Sequence, residues 1–280
     1  MGLADGIRKL KYRFYELVNR RYVLPAKDIT IDVVIPFLNS DSKTLPLCIE
    51  GVRRCVNHKI GKIYIVSPSQ DLPQELCGSD DIICVDESAV LGYGPDSVSF
   101  ITDTGEDRSG WIFQQLIKLS GAIGENRYFL VIDADHILLR PHTFISADGR
   151  YVFYRSSAHH VPFYENMEYL TGVNNYGFFT FSYVTRKMIF DKVMLEKLRA
   201  ALSEKNNKPW DKAIIDSLDS GELAPFSEFE LYGNFIPDYM KISLPWRCKS
   251  LSSARLSSYE NLAVRYGTRH LSLTFPETFN

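Results

Sequence analysis

Asp133 and Asp135 stand one residue apart at the end of the run Y-F-L-V-I-D-A-D. The five apolar residues Tyr128 to Ile132, aromatic and β-branched and preceded by Gly124, read as a strand buried on both faces of a parallel sheet. A buried, unpaired carboxylate is costly, so the two aspartates belong just past the strand's carboxyl end. That rim is where open α/β sheets bind ligands. Two hard oxygen donors there suit Mg²⁺ or Mn²⁺, which take one or two carboxylates and complete their shell with substrate phosphates.

Other groups gather around that pair. The segment R-S-G-W-I-F-Q-Q-L-I-K-L predicts a helix, capped by Asp107 or Ser109, leading into the strand. On it Arg108 and Gln115 are candidates to hold a diphosphate, since a guanidinium binds phosphate bidentately. Lys118 reads as the solvated member of that helix. Further on, S-E-F-E opens a second helix: Ser227 and Glu230 form a capping box, which leaves Glu228 unexplained by the box. The loop L-T-G-V-N-N-Y-G offers Asn174 and Asn175 as sugar-reading amides, or else a hairpin turn. Trp111 and Glu230 join them as candidate substrate contacts.

These residues need elements to position them. Thr30 to Phe37, Lys62 to Val66 and Ile82 to Val85 predict three more strands, with a helical crossover at Leu45 to Val56. The expected fold is α/β: an open, mostly parallel sheet flanked by helices. Met188 to Leu202 and Trp210 to Leu218 read as helices. No G-x-G-x-x-G follows the first strand, and neither a Walker A lysine motif nor a G-x-S-x-G elbow occurs.

Residues 1–27 form a separate, basic amphipathic helix with Leu3, Ile7, Leu10, Phe14 and Leu17 at helical spacing. It has two readings: a peripheral contact with an anionic membrane face, or a helix docking its apolar stripe on the domain. The formal net charge of −2 over 280 residues speaks against a general nucleic-acid binder. Five cysteines without a C-x-x-C pair read as reduced thiols of a cytoplasmic protein.

Taken together, the chain resembles the GT-A nucleotide-sugar glycosyltransferases, whose D-x-D at the end of a central strand matches Asp133-Ala134-Asp135. More narrowly, R-S-G-W-I-F-Q-Q-L-I-K-L, V-I-D-A-D-H-I-L-L-R-P and S-E-F-E-L-Y-G look like a bacterial family of unknown function associated with surface-polysaccharide genes. The resemblance implies a single catalytic domain over residues 28–280, with 28–141 as the nucleotide-binding half and 142–280 as the acceptor-binding half. It implies a hexosyl- or pentosyltransferase that moves sugar from a nucleoside-diphosphate sugar donor to a glycan or glycolipid acceptor. It implies a divalent metal (Mn²⁺ or Mg²⁺) held chiefly by Asp135, with Asp133 toward the nucleotide and His270 as a late third ligand. It also implies Glu228 as general base if the reaction inverts configuration, the favoured course, and Asp32 and Pro36 as lining of the nucleotide pocket. Two alternatives stay open: a sugar-nucleotide nucleotidyltransferase, for which Phe37-Leu38-Asn39-Ser40-Asp41 lacks the glycine-rich basic loop, and a non-catalytic carbohydrate-binding or scaffold protein.

Overall fold

The structure, a computed structural model, describes residues 3–173 and 181–276. The first half runs α1 (Leu3–Val18), β1 (Thr30–Pro36), α2 (Leu45–Cys55), β2 (Lys59–Ser67), β3 (Ile82–Asp86), α3 (Glu87–Leu91), α4 (Ser109–Ser120) and β4 (Tyr128–Ile132). Then follow β5 (His136–Leu138), β6 (Tyr151–Arg155), α5 (Val161–Thr171), β7 (Lys187–Asp191), α6 (Lys192–Asn206) and α7 (Trp210–Asp216). The chain closes with α8 (Glu228–Phe235), β8 (Lys241–Pro245), β9 (Cys248–Ser250), α9 (Tyr259–Gly267) and β10 (Ser272–Thr274).

The main sheet has the order β3-β2-β1-β4-β7, parallel except for β7, which runs antiparallel to β4. Apart from Asp32, its central strands β1 and β4 are apolar because both faces are covered: Val33, Val34, Ile35, Leu130, Val131 and Ile132 have no exposed surface. A second sheet, β5-β10-β9, begins where the chain leaves the carboxyl end of β4, and a two-stranded sheet, β6-β8, lies against β7. The expected α/β architecture with a mostly parallel sheet is therefore present.

Three expectations need correction. Met188 does not begin a helix. Residues 187–191 form edge strand β7, and Asp191 caps the following α6 by accepting from the Val193 N–H at 2.9 Å. The run M-I-F-D-K-V-M-L is apolar at both periods, and only this cap divides it. Second, Cys77 and Cys84 form a disulfide, with Cα atoms 5.5 Å apart, whereas Cys48, Cys55 and Cys248 are free. Such bonds persist in oxidising surroundings, against the reduced-thiol reading.

Third, α1 does not dock its apolar stripe. Tyr12 holds it to the body, donating to the carbonyl oxygens of Arg155 at 2.8 Å and Trp246 at 3.2 Å, while Ile7, Leu10, Phe14 and Leu17 face solvent. Among the described residues no helix is long and apolar enough to cross a membrane.

Candidate functional site

Asp133, Ala134 and Asp135 make a tight turn that carries the chain from β4 of the main sheet into β5 of the second, closed by the His136 N–H donating to the Asp133 carbonyl at 2.9 Å. The antiparallel register sets Lys187 opposite Ile132, so the residue before it, Arg186, arrives at the same rim as Asp133. The Asp133 N–H donates to the Arg186 carbonyl at 3.0 Å. Arg186 is held at φ 60°, in the left-handed region that costs a non-glycine residue free energy and recurs at functional sites.

Asp135 is buried, and both its oxygens are taken. Arg186 Nη1 donates to Oδ1 at 3.1 Å and to Oδ2 at 2.8 Å, and the Thr274 hydroxyl donates to Oδ2 at 3.2 Å. Burial pushes the Asp135 carboxyl up against the pull of Arg186. Asp133 differs. Its side chain is 28% exposed, and its cations stand farther off, Lys118 Nζ at 3.4 Å and Arg186 Nη1 at 3.8 Å.

Lys118 reaches this rim from the last turns of α4, buried rather than solvated, and donates to Glu228 Oε1 at 2.9 Å. Burial disfavours its charge, but the carboxylates of Glu228 and Asp133 outweigh that and hold it above lysine's ordinary range. Glu228 opens α8, and its backbone N–H donates to Gln115 Oε1 at 3.2 Å. Gln115 Nε2 is buried without a hydrogen-bond partner among the described residues. Arg108, Trp111, Gln115 and Lys118 follow i, i+3, i+4 spacing and so share one face of α4. Arg108, stacked on Trp111 at 4.6 Å, lies about 15 Å from Lys118 along the helix axis, well out from the aspartates.

Several expected residues lie elsewhere. Asp32, near the amino end of β1, accepts from the backbone N–H groups of Lys62, Glu125 and Asn126 and from Asn126 Nδ2, all within 3.0 Å. It pins the loop before β4 at the far end of the strands from the aspartates. Gly124, at φ +84°, is required there, since a Cβ would stand 2.7 Å from Asp32 Oδ2. Pro36, two residues past the Val34–Val131 pair, is level with Asp133 at the rim.

Glu230 is turned into the core. Ser227 caps α8 by accepting the Glu230 N–H at 3.3 Å, but the Glu230 carboxylate does not complete the capping box. It accepts instead from Ser182 (2.5 Å), the Tyr183 N–H (3.2 Å), Tyr164 (3.3 Å) and Asn234 (3.2 Å). His270 packs edge-on against Tyr266 beside α1, two residues ahead of β10, whereas Thr274 at the other end of β10 is the residue that touches Asp135. His270 is therefore no partner of the aspartates. Asn174 and Asn175 lie outside the described residues.

Three carboxylates (Asp133, Asp135, Glu228) thus meet two side-chain cations (Lys118, Arg186), leaving one negative charge in excess at the rim. For a divalent metal the fit runs through Asp133, whose oxygens are partly exposed and only loosely engaged. Asp135 has both oxygens engaged by Arg186, so Asp133 is the more accessible of the two. Among the described residues no cluster of three His, Cys, Asp or Glu could cage a metal alone. Mg²⁺ and Mn²⁺ are commonly held by one or two carboxylates and substrate phosphates. Arg186 also lines a cavity of about 710 Å³ walled on one side by Arg8, Tyr12 and Glu16 of α1 and on the other by Trp246 and Cys248.

Residues 29–259 match a family described as of unknown function (DUF6492). The chain belongs to this family. No curated protein sequence matches it. Among solved structures it is similar to mouse xyloside xylosyltransferase 1 (13% identity, 88% of this chain and 97% of that one, TM-score 0.48). It is also similar to the galactosyltransferase LgtC (10% identity, 89% and 88%, TM-score 0.44) and to the glycosyltransferase GlyE of Streptococcus pneumoniae TIGR4 (12% identity, 90% and 55%, TM-score 0.40). At these scores the likeness carries nothing about this chain's chemistry.

Proposed function

We propose that the chain is a glycosyltransferase that moves a hexosyl or pentosyl unit from a nucleoside-diphosphate sugar to a hydroxyl of a glycan or lipid-linked glycan, in surface-polysaccharide assembly. The observation that carries this reading is the charged rim itself. Asp133, Asp135, Arg186, Lys118 and Glu228 come from four separate segments and meet at the carboxyl end of the central strands, where open α/β sheets bind ligands.

Each residue has a role in such a reaction. Asp135 positions Arg186, whose guanidinium lines the neighbouring cavity and meets the diphosphate. Asp133 is the accessible ligand for Mn²⁺ or Mg²⁺, and the metal, when bound, supplies neutralisation of charge on the leaving diphosphate. Glu228 is the base that takes the acceptor hydroxyl's proton in an inverting reaction, and Lys118 holds its carboxylate in place. Trp111 and Arg108, farther out on the same face of α4, offer a flat ring and a cation to the nucleotide end of the donor.

A thermal-shift panel of nucleoside diphosphates with and without Mn²⁺ tests this. Metal-dependent stabilisation by one nucleotide, lost in Asp133→Ala, is the expected result. No response to any of them would overturn the reading and leave a non-catalytic scaffold, for which the close pairing of Asp135 with Arg186 would be reason enough.

A further inference from the structure

Two features away from the rim meet at the end of α1. The first is its outward face. Ile7, Leu10, Phe14 and Leu17 are 46–68% exposed, although an amphipathic helix ordinarily turns such a stripe to the core. The opposite face is already docked, through Tyr12 and through Tyr15 packed against Phe181 at 4.9 Å. The exposed apolar surface continues through Val18, Tyr22 and Leu24.

The second feature is a cavity of about 400 Å³ beside that continuation, lined by Arg20, Arg21, Tyr22, Arg140, Arg247 and His270. No carboxylate is among its described lining residues. Its acidic neighbour is Glu16, 3.2 Å from Arg20 and 3.7 Å from Arg247. Burial and the nearby charges of Arg20 and Arg140 press the Arg247 pKa down, with Glu16 opposing them, as expected of cations crowded without enough counter-charge. His270 adds a titratable ring to the same wall. A guanidinium cluster of this kind is complementary to phosphate. The bias extends along the segment: residues 1–27 hold seven Lys and Arg against two acidic residues, in a chain of net charge −2.

We infer that α1 and the arginine-lined cavity together seat the protein on an anionic phospholipid surface, the apolar stripe entering the acyl boundary and the cavity taking a lipid phosphate. An interfacial helix of this type combines buried apolar area with electrostatic attraction to anionic lipid, and neither alone gives firm attachment. The attachment is expected whether or not the rim transfers sugar.

Vesicle flotation of the full chain tests it, comparing phosphatidylcholine alone with phosphatidylcholine containing phosphatidylglycerol. The protein should float with the anionic vesicles only, and less so as salt rises. Arg20→Ala/Arg21→Ala should weaken that binding by roughly 30-fold, at about five-fold per arginine near an anionic surface. Leu10→Ser/Phe14→Ser should weaken it by about 10-fold or more, with unchanged circular dichroism, since both side chains are exposed. Equal flotation with neutral vesicles, or arginine variants that float like the parent, would overturn the phosphate half of the inference. No flotation, together with a thermal shift on glycerol phosphate, would assign the cavity to a soluble anion. No flotation, together with a dimer that Leu10→Ser/Phe14→Ser dissociates, would assign the stripe to a second copy of the chain.

Discussion

Replacing Lys118 by Met probes the rim at its most buried point. The ammonium lies 2.9 Å from Glu228, and the two side chains are 6% and 5% exposed, so solvent screens the pair little. Removing the cation leaves the Glu228 carboxylate buried without compensation, a change that ordinarily costs about 3–5 kcal/mol. Asp133, at 28% exposure and 3.4 Å, adds less, because water can take over its solvation. We expect Lys118→Met to lose about 3–4 kcal/mol in urea unfolding, a fall in Tm of roughly 6–10 °C for a chain of this size. The double variant Lys118→Met/Glu228→Gln should be more stable than Lys118→Met alone, because the unpaired charge is gone. The cycle should return a coupling of about 1–3 kcal/mol. The pH dependence follows from the sign of the shift. Lys118 is held above lysine's ordinary pKa, so its contribution is fully present below that range and is lost only as pH rises through the raised value. The difference between parent and variant should therefore persist at neutral pH and shrink on the alkaline side. A loss under 1 kcal/mol with no coupling would refute the reasoning.

Glu228→Gln should keep nucleotide binding while transfer falls about 10²-fold or more, as for a lost general base, and near-normal turnover would remove Glu228 from that role. Lys187 is fully buried against His136 and Tyr154, and burial pushes its pKa down to about 7. A depressed lysine penalises folding fully below about 7 and not at all above lysine's ordinary value, so the protein should gain stability between pH 7 and 10. Lys187→Met should remove that rise, and a flat profile in the parent would contradict it. Asp32→Ala should destabilise by about 2–4 kcal/mol, since it strips acceptors from buried N–H groups, with nucleotide affinity unchanged. Weakened nucleotide binding in that variant would return Asp32 to the site.

How much of this was legible beforehand depended on the physics behind each residue. Strands β1, β2 and β4 announce themselves because burial on both faces selects short runs of Val, Ile and Leu between turn residues, and the half-buried edge strand β3 keeps a shorter run of the same kind. The aspartates are readable because a pair of carboxylates at the end of such a run needs solvent or dedicated partners, as the four N–H donors to Asp32 inside β1 illustrate. Strand β7 is not readable, because its three apolar residues merge with the helix that follows, and Arg186 is hidden with it. No local pattern marks that arginine, since its position depends on an antiparallel pairing across more than fifty residues of sequence. Lys118 is in the pattern, but a lysine near a helix end is usually solvated, and here it is buried. The available signal was its spacing from Trp111 and Gln115, which puts polar groups in line on one face of a helix otherwise packed into the core. Glu230 shows the opposite lesson. The capping-box spacing located the helix start correctly, yet the carboxylate serves Ser182, Tyr164 and the Tyr183 backbone, which lie 47 to 66 residues away in sequence.

On the proposed reading, the rim around Asp133 receives a nucleoside diphosphate with a divalent ion. Isothermal titration of the stabilising nucleotide into the parent and into Asp133→Ala, each with Mn²⁺ and with EDTA, tests it most directly. Binding in the parent should require Mn²⁺, with at least a 10-fold loss in Asp133→Ala. Binding of equal strength in EDTA, undisturbed by Asp133→Ala, would contradict it.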